Sequence, residues 1–147
     1  MPTTTGAGLP PDSPRQRFAA AKVARLATVR PDGTPHVVPI TFAVADEEVV
    51  TAIDSKPKRT NNLQRLRNLR TNPAVSLIVD HYDDDWTRLW WVRVDGRGRI
   101  AEDGQERARA LDALAGKYSQ YSEDPPAGPA IIIEPAGWTA WSARSAP

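Results

Sequence analysis

The residues best suited to chemistry are the lysines and arginines of one short segment. Six of them lie between Ser55 and Val79, and this stretch contains no aspartate or glutamate. They are Lys56, Lys58, Arg59, Arg65, Arg67 and Arg70. The whole chain has a net charge of only +1, so this positive charge is a local feature. A local group of cations without carboxylates predicts a binding site for an anion.

A helix is predicted to follow the first of these cations. Leucines recur at helical spacing from Leu63 to Leu69, and the pair Asn72 and Pro73 ends the pattern. We expect the helix to begin at Thr60, whose hydroxyl is of the type that caps helices. The cations at or just before this start are Lys56, Lys58 and Arg59. Cations there oppose the helix dipole and cost about 0.3–1 kcal/mol each unless an anion is bound.

The start of this helix combines groups that bind a phosphate. Free backbone N–H groups, the Thr60 hydroxyl and the amides of Asn61 and Asn62 would stand beside the cations. The chain has no Walker-type or dinucleotide-binding glycine pattern, so we predict a site for a single phosphate. The remaining cations lie inside the helix and are expected to form a solvated face: Arg65, Arg67 and Arg70.

Composition limits the classes of protein to which this chain can belong. At 147 residues it is predicted to form a single domain, residues 14–147, after a flexible N-terminal segment, residues 1–13. It has no cysteine and two histidines, which excludes thiolate chemistry and argues against zinc or another metal. The small net charge argues against nucleic acid, and no apolar run approaches the roughly 20 residues that cross a membrane. The N-terminus lacks a secretory pattern, so we expect the cytoplasm.

Alternating apolar residues predict six to seven antiparallel strands with two to three helices. The strand segments are ARLATVR, PHVVPITFAV, EVVTAI, AVSLIVDHY, LWWVRVDGRGRI, AIIIEP and GWTAWS, in chain order. Helices are predicted at 15–24, after the basic segment, and in EDGQERARALDALAGKY. Closing such hairpins into a barrel removes exposed strand edges. We therefore predict a mainly β (α+β) fold, a small closed or split barrel.

Two motifs resemble those of a known family. The pattern T-x-x-x-D-G-x-P-H-x-x-P runs from Thr28 to Pro39, and N-L-R-x-[DN]-P runs from Asn68 to Pro73. With the basic loop between them, their order resembles the pyridoxamine 5′-phosphate oxidase-like split β-barrel family. Within it, the likeness is greatest to the branch of enzymes that use the deazaflavin coenzyme F420. The resemblance covers roughly residues 15–142 in element order.

The resemblance implies an FMN-binding-like split β-barrel that forms a homodimer, with two cofactor sites at the subunit interface. The flavin-like ring would lie near Ile40, Thr41 and Ile53. Its phosphate would lie where the basic loop meets the helix. The implied phosphate ligands are Ser55, Lys56, Lys58, Arg59, Thr60 and Asn62. In this family the β-hairpin that here carries Trp86 reaches the cofactor of the other subunit, so Trp86 is an expected ring contact.

The phosphate site has two possible registers. Both Asn-Leu pairs, at 62–63 and 68–69, match the pair that the family carries in this region. The later register would give Arg65 the role that the earlier one gives to Lys58 or Arg59. We prefer the earlier register, because a phosphate is held at a helix N-terminus and Arg65 would lie a turn further in.

The implied function is that of an F420-dependent oxidoreductase, which transfers hydride between the deazaflavin and a small conjugated acceptor. FMN remains an alternative cofactor, because no single residue separates the two. Two non-enzymatic functions also stay open: a carrier that binds the ring without turnover, and a nucleic-acid-binding module that uses the basic helix. No catalytic side chain is identified, since the ring of such a cofactor carries the hydride chemistry.

The remaining aspartates, histidines and tryptophans are weaker candidates for chemistry. The segment VDHYDDDW brings Asp80 and His81 close to three aspartates, whose oxygens can bind a metal, but its spacing matches no calcium loop and favours a hairpin tip. His36 is expected to be a satisfied strand residue and not a catalytic base. Trp90 and Trp91 are predicted to point to opposite faces of one strand.

Overall fold

The structure of the protein, a computed structural model, describes residues 13–54 and 63–143. The strands are β1 Ala24–Val29, β2 Pro35–Ile40, β3 Ala43–Ala45, β4 Glu48–Ala52, β5 Ala74–His81, β6 Trp90–Ala101 and β7 Ala130–Ser142. The helices are α1 Pro14–Ala20, α2 Gln64–Thr71, α3 Gly104–Lys117 and α4 Ser119–Glu123, with a 3₁₀ turn at Trp86–Arg88.

The seven strands form one antiparallel sheet in the order β2-β1-β5-β6-β7-β4-β3. The two edge strands, β2 and β3, follow each other in the chain and are joined by Thr41 and Phe42. The sheet curves around a core formed by its inner face, which is the arrangement of a split barrel. The predicted mainly β fold is therefore confirmed.

The number of strands agrees with the prediction, but their division along the chain differs. The predicted second strand is interrupted after Ile40 and gives β2 and β3. The last two predicted strands are one continuous strand, β7, which contains Pro135. A bulge opposite Asp95 and Gly96 accommodates this proline, because β7 has an extra residue there. Within the described residues there are four helices, one more than the predicted two to three, and the added one is the short α4, which the sequence did not predict.

Two helices begin or end at other residues than the sequence predicted. Helix α1 ends at Ala20, because the chain turns there into β1, and Ser13 closes a capping box at its start. Helix α2 begins at Gln64, and its N-cap is Leu63, which makes no side-chain capping hydrogen bond. The prediction that Thr60 caps this helix is therefore wrong. The predicted end of α2 at Asn72 is confirmed.

The fold has two apolar cores on opposite faces of the sheet. The larger core lies inside the barrel, where α1 contributes Phe18 and α2 contributes Leu66 and Leu69. The smaller core lies under α3, which packs Ala110 and Leu114 on β4 and β7. Among the helices of the described residues, none has both the length and the apolar character that crossing a membrane requires.

Candidate functional site

A pocket of about 210 Å³ opens where the link between β2 and β3 meets the end of β4 and the start of α2. Helix α4 covers one side of it. The lining residues are Pro39, Ile40, Thr41, Thr51, Ala52, Ile53, Asp54, Leu63, Arg65 and Tyr121. The pocket thus combines apolar strand residues with three hydroxyl groups, one carboxylate and one cation.

The structure brings together the three residues that the resemblance assigned to the cofactor ring. Ile40, Thr41 and Ile53 all line the pocket. The six predicted phosphate ligands, Ser55, Lys56, Lys58, Arg59, Thr60 and Asn62, lie outside the described residues. The residues that flank this segment, Asp54 and Leu63, both line the pocket. The basic segment therefore leaves and rejoins the described chain at the pocket.

Hydroxyl groups order the polar wall of the pocket. The Thr41 and Tyr121 hydroxyls are hydrogen-bonded at 2.9 Å, and the Thr51 hydroxyl donates to the Thr41 carbonyl at 2.6 Å. The hydroxyl of Tyr118 accepts from the Phe42 backbone N–H at 3.1 Å. Burial raises the pKa of Tyr118, so it remains a neutral phenol at neutral pH. The sequence did not indicate Tyr121 as a pocket residue, because no element was predicted at its position.

A backbone loop supports the apolar wall of the pocket from behind. The N–H of Ile53 donates to the carbonyl of Pro129, and the N–H of Gly128 donates to the carbonyl of Ile53, both at 2.9 Å. A Cβ atom at position 128 would lie 2.7 Å from the Ile53 carbonyl oxygen, so only glycine fits there. Arg107 of α3 holds the same loop, because its guanidinium donates to the carbonyls of Pro126 and Gly128 at 3.1 Å.

Arg65 supplies the positive charge of the pocket. Its side chain is largely removed from water, and this burial lowers the pKa of the guanidinium. Its Nε is buried and has no hydrogen-bond partner within the described part of the chain. Arg67 and Arg70 of the same helix are exposed instead, and Arg70 pairs with Glu102 at 3.6 Å. The expected solvated face is therefore correct for Arg67 and Arg70 and wrong for Arg65.

A buried amide fixes the helix that carries Arg65. Asn68 is fully buried, and its Nδ2 donates to the Thr28 hydroxyl of β1 at 2.9 Å. Its Oδ1 accepts from Gln64 Nε2 at 2.7 Å. Breaking a buried hydrogen bond is costly, so this contact sets the rotation of α2 against the sheet. With α2 in this rotation, Arg65 is one of the residues that line the pocket.

The hairpin between β5 and β6 lies outside the pocket. Trp86 at its tip is 68% exposed, does not line the pocket of its own chain, and donates from Nε1 to the Tyr82 hydroxyl at 3.3 Å. Asp83 pairs with Arg88, and Asp85 caps the 3₁₀ turn, so the acidic run builds a hairpin tip. Within the described residues no cluster of three or more carboxylates and histidines has the arrangement of a metal site.

Similar proteins of known structure include several that bind ring cofactors. An F420 reductase is 30% identical, with 80% of this chain and 88% of that one covered at a TM-score of 0.58. A FAD-binding protein of Mesorhizobium loti is 25% identical, and the match covers 84% of this chain and 85% of that one at a TM-score of 0.64. HutZ, a heme storage protein of Vibrio cholerae, is 17% identical, and the match covers 82% of this chain and 85% of that one at a TM-score of 0.67. This match shows similarity of fold alone.

A family match adds to these structural similarities. No curated protein matches the sequence. The family model described as pyridoxamine 5′-phosphate oxidase matches residues 11–142, which include the strands, the helices and the pocket described above. The chain belongs to the pyridoxamine 5′-phosphate oxidase family.

Proposed function

We propose that the protein is a cytoplasmic F420-dependent oxidoreductase, which transfers hydride between the deazaflavin and a small conjugated acceptor. One observation carries this proposal: Arg65 lines the pocket, is largely buried, and its buried Nε has no partner within the described residues. A buried donor of a charged group without a partner is unfavourable, so its retention suggests that an anion completes the site. A phosphate attached to a ring cofactor supplies such an anion.

The remaining walls of the pocket fit the rest of such a cofactor. Ile40 and Ile53 offer apolar surface to the ring, and the hydroxyls of Thr41 and Tyr121 offer polar contacts at its edge. Arg65, with the basic segment between Asp54 and Leu63, would hold the phosphate. When bound, the deazaflavin ring supplies the hydride chemistry. The role of this chain is to bind the cofactor, orient it and keep water from one of its faces.

The choice of F420 over FMN is supported by similarity to the F420 reductase, since 30% identity exceeds that to the flavin-binding relative at 25%. FMN in the same pocket is the alternative, and it would leave the fold and the role of Arg65 unchanged. A carrier that binds the ring without turnover is the second alternative. A screen of conjugated acceptors with reduced F420 separates it from an enzyme, because a carrier gives no turnover with any acceptor.

Titration of the purified protein with F420 and with FMN, followed by fluorescence, tests the proposal. We expect tight binding of F420 that is lost in the double variant Lys58→Glu/Arg59→Glu, which reverses two charges of the basic segment. Binding of FMN alone would retain the site and change the cofactor. Binding of neither ligand would contradict the proposed function.

A homodimer is proposed because one face of the sheet is incompletely covered. Ala27, Ile78 and Trp91 alternate with core residues and are only partly buried on the opposite face, where Trp141 is 42% exposed. An antiparallel sheet can leave a polar face to water, but this face carries large apolar side chains, so a second copy is the expected cover. It would bring Trp86 of one subunit towards the pocket of the other.

The mass of the protein in solution tests the homodimer. We expect twice the 16.1 kDa of one chain by sedimentation. Replacing Ile78 by arginine should give a folded monomer, because the new charge would lie in the interface. A wild-type monomer at micromolar concentration would contradict the homodimer and with it the role of Trp86.

A further inference from the structure

Two buried nitrogen atoms without partners lie on neighbouring elements. Within the described residues, three buried side-chain nitrogens lack a hydrogen-bond partner: Arg65 Nε, His36 Nδ1 and Lys117 Nζ. Lys117 contacts an aromatic ring instead, since its Nζ lies 3.9 Å from the centre of the Phe42 ring. Within the described residues, no aromatic ring takes the place of a hydrogen-bond partner for His36 Nδ1 or Arg65 Nε. The expectation that His36 is a satisfied strand residue is therefore wrong.

The backbone places His36 and Arg65 in the same layer. His36 of β2 is paired directly with Thr28 of β1, so the two side chains point to the same face of the sheet. The Thr28 hydroxyl accepts from Asn68 of α2, so this face is the one that α2 covers. Arg65 precedes Asn68 by one helical turn and lies on the same side of α2. Both unpartnered nitrogens therefore lie on the facing sides of β2 and α2, and the space between these two elements is called the β2–α2 cleft below.

The charges around His36 are positive. Burial lowers the pKa of His36, and the cations Arg30 and Arg65 lower it further. Arg30 also donates to the Pro35 carbonyl at 2.7 Å, and its charge helps to lower the pKa of Asp32. Within the described residues, Asp32 bonds to Thr34, and no carboxylate forms an ion pair with His36. The surroundings of His36 thus favour an added anion and disfavour an added cation.

We infer that His36 makes the β2–α2 cleft an anion subsite for a cofactor with negative charge beyond the phosphate that Arg65 holds. The carboxylates of the glutamate tail of F420 and the second phosphate of a flavin dinucleotide are the chemical groups that fit. FMN has neither. The inference rests on the proposed function, because Arg65 lines the pocket proposed for the ring and extends the same site towards His36.

Protonation of His36 gives this subsite a pH dependence. In the free protein, burial and the charges of Arg30 and Arg65 lower the pKa of His36 from its ordinary value, which favours the neutral imidazole. An anion beside the imidazolium raises this pKa, so binding takes up a proton. Affinity for the ligand with the added anion should fall as the pH rises through the pKa of the free protein. It should level off above the pKa of the complex.

Paired ligands test the subsite on a single variant. Affinities are measured for F420 with and without its glutamates, and for FAD and FMN, with the wild type and His36→Leu. We expect His36→Leu to weaken the binding of F420 with its glutamates, or of FAD, about tenfold. The affinities for F420 without glutamates and for FMN should stay unchanged. A loss confined to the F420 pair assigns the subsite to carboxylates, and a loss confined to the FAD pair assigns it to phosphate. Equal effects on both members of each pair would overturn the inference.

A second measurement does not depend on binding of the ring. The chain has two histidines, so NMR can follow the pKa of His36 with the exposed His81 as an internal reference. Pyrophosphate is the probe, and we expect it to raise the pKa of His36 and to leave the NMR signals of His81 unchanged. If pyrophosphate does so although neither F420 nor FMN binds, the subsite stands and the proposed function fails. If F420 binds but neither F420 nor pyrophosphate changes the His36 pKa, the function stands and the subsite is wrong.

Discussion

Replacing Arg65 with methionine should remove most of the affinity for a phosphorylated ring cofactor and stabilise the free protein. Hydrogen bonds to a charged partner contribute about 1.5–3 kcal/mol, so losing them should weaken F420 or FMN about 100-fold. Burial lowers the pKa of Arg65, which means that the fold disfavours its charge. Methionine keeps the apolar stem and removes this penalty, so we expect a gain of about 1 kcal/mol in the free energy of unfolding.

Matched controls separate charge in the pocket from charge on the helix. Arg70 lies on the same helix but is exposed and pairs with Glu102, so Arg70→Met should leave cofactor affinity unchanged. Riboflavin lacks the phosphate, so its affinity should be the same for wild type and Arg65→Met. Calorimetric titration and urea unfolding measure both quantities. If Arg65→Met and Arg70→Met weakened F420 equally, the cation would act by long-range attraction and not as a ligand.

The opposite behaviour of Arg65 and Arg70 marks the limit of what the sequence could predict about the site. The segment rich in cations followed from composition, and the positions of Ile40, Thr41 and Ile53 at the pocket were implied by the family resemblance. The start of α2 did not, because Leu63 takes the N-cap position without a side-chain hydrogen bond, and no residue type signals that. The observed start places Arg65 in the first turn of α2 and not a turn further in. The Asn68 contact with Thr28 fixes the rotation of the helix and with it the cation that enters the pocket.

Tyr121 and His36 show a second limit of the sequence. Tyr121 reaches the pocket from α4, a helix of 5 residues after α3, and its Thr41 contact joins residues 80 positions apart. Local patterns carry no information about such a distant pairing. His36 was expected to have a partner because most buried polar atoms do. Only the structure shows that His36 Nδ1 lacks a partner, because this depends on which groups of α2 face the strand.

The division of strands differs from the prediction where the alternation changes phase. Inside the barrel the core-facing residues of β7 are odd-numbered at Ile131 and Ile133 and even-numbered at Trp138. A change of phase predicts two strands, whereas a bulge produces the same pattern in one. The bulge places Gly96 against Pro135 and Asp95 against Gly137. It keeps one face of β7 towards the barrel along its whole length.

Gly96→Ala should therefore be among the most destabilising single substitutions in the chain. A Cβ atom at this position would lie 2.3 Å from the carbonyl oxygen of Glu134 and 3.1 Å from Cα of Pro135. Both are backbone atoms, and the proline cannot change its φ angle to make room. The two longest strands would have to separate at the bulge, at a cost of about 3 kcal/mol or more.

Gly137→Ala is the matched control for this prediction, because it lies in the same bulge on the opposite strand. A Cβ atom there meets nothing within 4 Å, so we expect a change of less than about 0.5 kcal/mol. Urea unfolding of the three proteins, followed by tryptophan fluorescence, measures the difference. Equal stabilities of the two variants would mean that the backbone contact at Gly96 relaxes freely. The close approach of Gly96 to Glu134 and Pro135 would then not limit which residues this position accepts.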